Sequence, residues 1–184
     1  YARTAVHARS LVTPKSRVSL GYVRRVLDDT IDELRSVALG AADGSGYFPA
    51  MYARVTDRIR MAASGGRFGD SEGMAQFALA FARRYLDPKS GATSVPRCWQ
   101  ATWDVAGDRR LLIVQHLFGG INAHVNHDLP QVVVGLAAER GDVAGMRKDF
   151  DAVNDVLAET MPEVLGDLGR ASRWVNAVAS RGGT

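Results

Sequence analysis

The segment Ser19-Leu-Gly-Tyr-Val-Arg-Arg-Val-Leu-Asp-Asp-Thr-Ile-Asp-Glu-Leu-Arg-Ser-Val-Ala-Leu39 settles the fold class. Leu20, Val23, Leu27, Ile31 and Leu34 recur at the spacing that lays side chains along one stripe of an α-helix, with charged residues between them. Gly40 stands where such a helix ends, because glycine enters the left-handed conformation without a Cβ clash. The same periodicity continues along the chain, and alternation at strand spacing is almost absent. After a turn at Asp43-Gly-Ser-Gly46, a second helix has Pro49 near its first turn and Phe48, Tyr52, Val55 and Ile59 on one face, and closes near Gly65-Gly66. A third, capped by Asp70 or Ser71, carries Met74, Phe77, Phe81 and Tyr85 and is expected to stop at Asp87-Pro88. The stretch from Pro88 to Pro96 reads as a loop, followed by a short helix from Arg97 to Val105 with Trp99 and Trp103 on one face. Two helices complete the chain, from Val143 to Met161 with Phe150, Val153 and Leu157 inward, and from Glu163 to Ala179 with Leu165, Leu168 and Trp174. The expectation is an all-α protein, a single-domain orthogonal or irregular bundle of about six to seven helices over residues 19–184, behind a basic arm at residues 1–18.

The 184 residues fit one domain, and at 46% hydrophobic they suffice to fill its core. No apolar run is long enough to span a membrane, and the first residues hold no signal-peptide apolar stretch. The single cysteine, Cys98, excludes an internal disulfide framework and suits a reducing compartment, so a cytoplasmic location is expected. The net charge of +3 is mild. Its excess gathers at Arg3, Arg9, Lys15, Arg17, Arg24 and Arg25, before the first acidic residue, Asp28. This arm lacks interleaved aromatics and leads into no nucleic-acid motif, so it reads as a solvated terminus and no nucleic-acid partner is expected.

The chemistry concentrates in His116-Leu-Phe-Gly-Gly-Ile-Asn-Ala-His-Val-Asn-His-Asp128, set between Leu111-Leu-Ile-Val114 and Val132-Val-Val134. Apolar flanks imply that these polar groups lie in the interior, where each needs a partner. Treated as one helix, the segment puts His116, His124, His127 and Asp128 on one face, with His116 roughly 12 Å along the axis from His124. His124 and Asp128 have the i,i+4 relation that lets an imidazole nitrogen and a carboxylate oxygen meet. Histidine transfers protons near neutrality, so His124 is a candidate acid or base oriented by Asp128. Asn122 is a candidate polariser of a carbonyl, and His116 a second proton carrier or substrate anchor. The plainer alternative is a buried polar network that fixes helix register.

Asp128-Leu-Pro-Gln131 also has the form of a helix start, in which proline turns Leu129 away from helical dihedrals, Asp128 caps and Gln131 reaches back. Gly119-Gly120 admits either close helix packing or room for a ligand. Tyr52, Tyr85, Trp103 and His127 are candidate substrate contacts, although tyrosines at helical spacing commonly belong to cores. Trp99 and Trp103 form either a lid or a cover over the core. Cys98 has no activating neighbour in sequence. A helical metal site on His124 and Asp128 would need a third donor such as Asp57, Asp151 or Asp155, and the preferred reading invokes no metal and no cofactor.

Met51-Tyr-Ala-Arg-Val-Thr56, Pro96-x-x-Trp99, His116-Leu-x-Gly-x-x-Asn-Ala-His124, Asn126-His-Asp-Leu-Pro130 and Asp151-x-Val-Asn154 together mark a resemblance. From Tyr47 to about Val178 the chain resembles a family of uncharacterised, mostly actinobacterial helical proteins. That resemblance implies an all-helical domain centred on the asparagine-histidine segment and brings no reaction with it. His116 to Asn122 is also similar to a metal-binding stretch of the helical zinc-dependent phospholipase C and single-strand nuclease group. Gly120 stands where that group has an aspartate ligand, and its amino-terminal tryptophan ligand has no counterpart here.

Three functions are therefore expected, in order. The first is a cofactor-independent enzyme acting by hydrolysis, dehydration or cyclisation on a hydrophobic small molecule, with no membrane partner and with room for a homodimer. The second is a non-catalytic helical binding or scaffold protein using the basic arm and the tryptophan face. The third is a divergent metal-dependent phosphoesterase-like hydrolase.

Overall fold

The computed structural model describes residues 14–140 and 144–171, with side chains over 21–139 and 145–170. Helix α1 is Pro14–Gly40, α2 Tyr47–Ser64, α3 Ser71–Ser90, α4 Arg97–Asp104, α5 Ile113–Ala123, α6 Leu129–Arg140 and α7 Arg147–Ala171. Single turns at Gly44–Gly46 and Ala144–Met146 precede α2 and α7, and no strand occurs among the described residues. Helix α5, a π-helical turn at His124–Asp128 and α6 follow one another without a break and act as one rod. The fold is all-α, as the periodicity predicts.

Helix α1 lies along α2 and α3, while α2 also supports α5 and α7. The α1 stripe is buried as expected at Val23, Leu27, Ile31 and Leu34. Leu20, Trp174 and the whole basic arm lie outside the described side chains, although the described backbone of α1 begins at Pro14, inside the stretch assigned to that arm. One core cluster joins Val23 and Leu27 of α1 with Ile59, Met74, Phe77, Val132, Leu136 and Val156. The other is built from large rings: Phe48, Tyr52, Tyr85 and Trp99 pack with Leu34, Leu86 and Ala123.

Prolines mislead at three places. Helix α3 passes through Pro88 and ends at Gly91, whose φ of 80° only glycine adopts easily and whose N–H reaches the carbonyls of Asp87 and Pro88. A proline in the last turn forfeits little, and the loop shrinks to residues 91–96. Helix α7 runs through Pro162, so the two expected terminal helices are one; Ala158 and Pro162 are both exposed, and water can hydrate the carbonyl left without a donor. Leu165, expected inward, is 49% exposed in consequence. At Pro130 the chain widens into the π turn instead of breaking, and Leu129 keeps helical dihedrals of −57° and −48°. Its N–H reaches back five residues to His124, and the Gln131 amide supplies a hydrogen bond to the His127 carbonyl at 3.0 Å. Asp128 thus sits inside a continuous rod and caps nothing. Asp70, by contrast, caps α3 by accepting from Gly73 N at 2.8 Å.

Candidate functional site

The π turn sets the site. In an α-helix residue i+4 is offset by roughly 40° from residue i. The wider turn brings it more nearly overhead, and His124 Nδ1 lies 2.9 Å from Asp128 Oδ2. The same oxygen accepts from the Trp99 indole Nε1 at 2.9 Å, and Asp128 Oδ1 faces His127 Nδ1 at 2.9 Å. Trp99 reaches this carboxylate from α4 because a buried indole N–H requires an acceptor. Gln131 lays its amide across the His127 ring, within 3.1 Å of Nδ1 and 3.2 Å of Nε2.

Burial of the Asp128 carboxyl, only 1% exposed, pushes its pKa upward, but the hydrogen bonds from His124, His127 and Trp99 outweigh that and leave it below the ordinary carboxylate value. It is ionised at neutral pH. Burial of His124, 4% exposed, dominates over the attraction of Asp128 and lowers the imidazole pKa below its ordinary value. A neutral imidazole facing a carboxylate through Nδ1 carries its proton there, so Nε2 holds the lone pair. That Nε2 is buried and has no hydrogen-bond partner among the described residues. Rings enclose the imidazole: Phe81 stacks on it at 3.5 Å with 9° between planes, and Tyr52 and Phe48 meet it edge-on at 4.7 and 5.5 Å.

His124 forms part of the wall of a cavity of about 290 Å³. Phe48, Met51, Tyr52 and Val55 of α2 line it on one side, with Leu117, Phe118, Ile121 and Val125 along the rod and Leu157, Thr160, Met161, Val164 and Leu165 from α7. Its mouth is apolar as well, since Phe118, Val125, Met161 and Leu165 are exposed. A second chamber of about 80 Å³ shares Tyr52, Val55, Phe81 and Leu157 with the first. Both Tyr52 and Tyr85 have pKa values raised by burial, with the Asp128 charge adding to the effect at Tyr52, so each phenol keeps its proton.

Of the residues singled out from sequence, His124, Asp128 and Tyr52 come together. Asn122 does not join them: two residues before His124 it faces the opposite side of the helix, exposed, accepting from Asn126 at 2.6 Å. His116 faces a separate cleft of about 970 Å³, against Gly44 and with Asp43, Asp108 and Arg109 nearby. That cleft is larger, but exposed residues such as Leu39 and Arg109 line it, and none of its side chains is a sealed, unpartnered polar group. His127 has 41% of its side chain exposed and contacts the dyad from outside the cavity. Tyr85 is fully buried behind Phe48 and Trp99, its hydroxyl without a partner among the described residues. Trp103 stacks on Trp99 at 5.7 Å and carries the Lys89 ammonium 4.8 Å from its ring, which makes it cover for the core. Gly120 serves close packing: a Cβ there would stand 2.6 Å from the Phe48 ring.

Asp57 is paired with Arg60, Asp151 and Asp155 are exposed, and among the described residues no group of three or more metal-ligating side chains converges. Burial raises the pKa of the Cys98 thiol, the opposite of what activates a nucleophile. Sequence reasoning passed over Trp99 as the partner of Asp128 and Phe81 as the plate beneath His124. The first was detectable, because a tryptophan spaced for burial must find an acceptor.

A model of a family of unknown function, DUF5995, matches residues 23–183, nearly the whole described fold with its histidine site. The chain belongs to the DUF5995 family. No curated protein and no solved structure matches it. No helix among the described residues is long and apolar enough to cross a membrane.

Proposed function

We propose that this chain is a cofactor-independent enzyme in which His124 moves a proton to or from an apolar small molecule bound between the α5–α6 rod and α7. The observation that carries this reading is the buried, unpartnered Nε2 of an imidazole whose other nitrogen is held by an ionised aspartate, in the wall of an apolar cavity. Nature rarely leaves such a nitrogen without a partner, because the desolvation penalty is not offset. Asp128 fixes the tautomer and stabilises the imidazolium formed when Nε2 accepts a proton. Tyr52, kept protonated beside the ring, is a hydrogen-bond donor for charge developing on the substrate. Hydrolysis, dehydration and cyclisation all require such a transfer. We place the activity in the cytoplasm, which a chain with one cysteine suits. We also take His116-Leu-x-Gly-x-x-Asn-Ala-His-x-Asn-x-Asp-Leu-Pro130 as the signature of a mainly actinobacterial family.

The test is a reaction that needs only a positioned base in an apolar pocket. In 5-nitrobenzisoxazole the C3 proton passes to the base, the ring N–O bond opens and a coloured nitrophenolate forms. The expected result is turnover by the wild-type chain well above that of imidazole at equal concentration. His124→Phe should abolish it and Asp128→Asn should cut it by about 10²-fold or more, with circular dichroism unchanged. A rate no greater than free imidazole, or one that His124→Phe leaves intact, would sink the proposal.

A further inference from the structure

Resting on that reading of His124, we infer that the cavity selects an uncharged aliphatic molecule carrying one O–H or N–H donor, and rejects the corresponding carboxylate. The argument begins with the polarity of the one sealed nitrogen. With Nδ1–H committed to Asp128, Nε2 can only accept, so it pairs with a donor and repels a carboxylate oxygen. No cation in the wall balances an anion, the Tyr52 hydroxyl being a neutral donor: the cavity residues include no arginine and no lysine, and the fixed charge held by the imidazole is the Asp128 carboxylate. A carboxylate would lose its hydration without a counter-charge. The remaining lining asks for hydrocarbon. From α2 come Phe48, Met51 and Val55, from the rod Leu117 and Ile121, and from α7 Leu157, with Tyr52 and Thr160 as the hydroxyl-bearing residues. The Thr160 hydroxyl donates to the Val156 carbonyl at 2.7 Å, so its proton is not offered to a carboxylate, and His124 Nε2 is the buried acceptor without a partner among the described residues.

Size and shape narrow the class. A volume of about 290 Å³ lies at the small end of ligand sites. The second chamber, which shares Tyr52, Val55, Phe81 and Leu157 with the first, has an apolar lining as well. The fitting occupant is a slender chain of medium length whose tail fills the apolar cavity and whose single polar end pairs with the sealed His124 Nε2 as the rings packed on the imidazole yield.

Titration of the full chain with a 1-alkanol series from hexanol to decanol, and with octanoate at pH 8, tests this through the fluorescence of Trp99 and Trp103. Affinity should rise by about fourfold per methylene until the cavity is full. Octanoate should bind at least tenfold more weakly than octanol. His124→Phe should erase that preference by weakening octanol, while His124→Gln, which restores an acceptor, should recover part of it. Leu157→Trp, which fills the cavity without touching the dyad, should weaken the whole series. Octanoate binding as tightly as octanol, or an octanol affinity that neither His124→Phe nor Leu157→Trp changes, would overturn the inference. Alkanol binding by a chain that fails to turn over the benzisoxazole would retain this ligand class and discard the enzymatic reading. Turnover with no alkanol binding would do the reverse.

Discussion

At His124 two opposing influences meet, burial lowering the imidazole pKa and Asp128 raising it, and burial prevails. The sign of the pH dependence follows. In the unfolded chain the histidine titrates near about 6.5, so on acidification the unfolded state takes up a proton before the folded state does. The stabilisation is complete above that pH and drains as pH falls toward the lower folded pKa; the depressed pKa of Asp128 adds a second loss in the carboxylate range. Urea midpoints should therefore fall between pH 7 and pH 5 in the wild type and fall less steeply in His124→Gln, and the acid limb of base catalysis should lie below the ordinary histidine value. A wild-type slope equal to that of the variant would contradict this account. At this scale the sequence was informative about partners in i,i+4 register and silent about depth. It placed His124 with Asp128, because that depends on local geometry. It could not separate His116 from them, because which side of a helix faces a cavity depends on what packs against it, whereas Asn122, two residues before His124, stands on the opposite side by helix geometry alone.

Among the elements, the rod of α5, π turn and α6 decides most. Its α5 portion presses on α2 through Gly120, and the Phe48 ring it touches is hemmed in by Tyr85, Trp99 and His124 at 5.0, 5.2 and 5.5 Å. Gly120→Ala would force that ring toward the imidazole, with an expected loss of about 1–3 kcal/mol in denaturant unfolding. Gly119→Ala meets the Thr102 side chain at an ordinary 3.4 Å (methyl) and 3.8 Å (hydroxyl) and gains helix propensity, so it should be neutral or stabilising. Equal destabilisation by the two variants would refute this assignment of the packing contact. Helix identity was legible from apolar spacing throughout, as the α1 stripe and the Trp99 and Trp103 face of α4 illustrate. Helix ends were less so wherever proline marked them. Pro88, Pro130 and Pro162 each lose one backbone bond, and tertiary packing of Leu86, Leu129 and Val164 holds the helix through that local loss.

Over the whole molecule the two core clusters are distinct in composition, one aliphatic with phenylalanines, the other dominated by large aromatic rings. Ion pairs on the outside join α2 to α7: Arg58 to Glu163 at 2.5 Å, Arg54 to Asp167 at 2.5 Å and Arg67 to Glu159 at 2.6 Å. Exposed pairs of this kind add little stability. The same rod places Ala123 in one cluster and Val132 and Leu136 in the other, with the π turn between them. Cutting the chain in the loop at residues 91–96 would therefore give no autonomous halves. The amino-terminal piece would keep α1 to α3 with their apolar faces uncovered, and the carboxy-terminal piece would keep α4 on the rod without the α2 and α3 surfaces that bury Ala123, Val132 and Leu136. Separately expressed, the two should show the collapsed amide dispersion of unfolded polypeptide; mixed, they should recover the native spectrum by complementation.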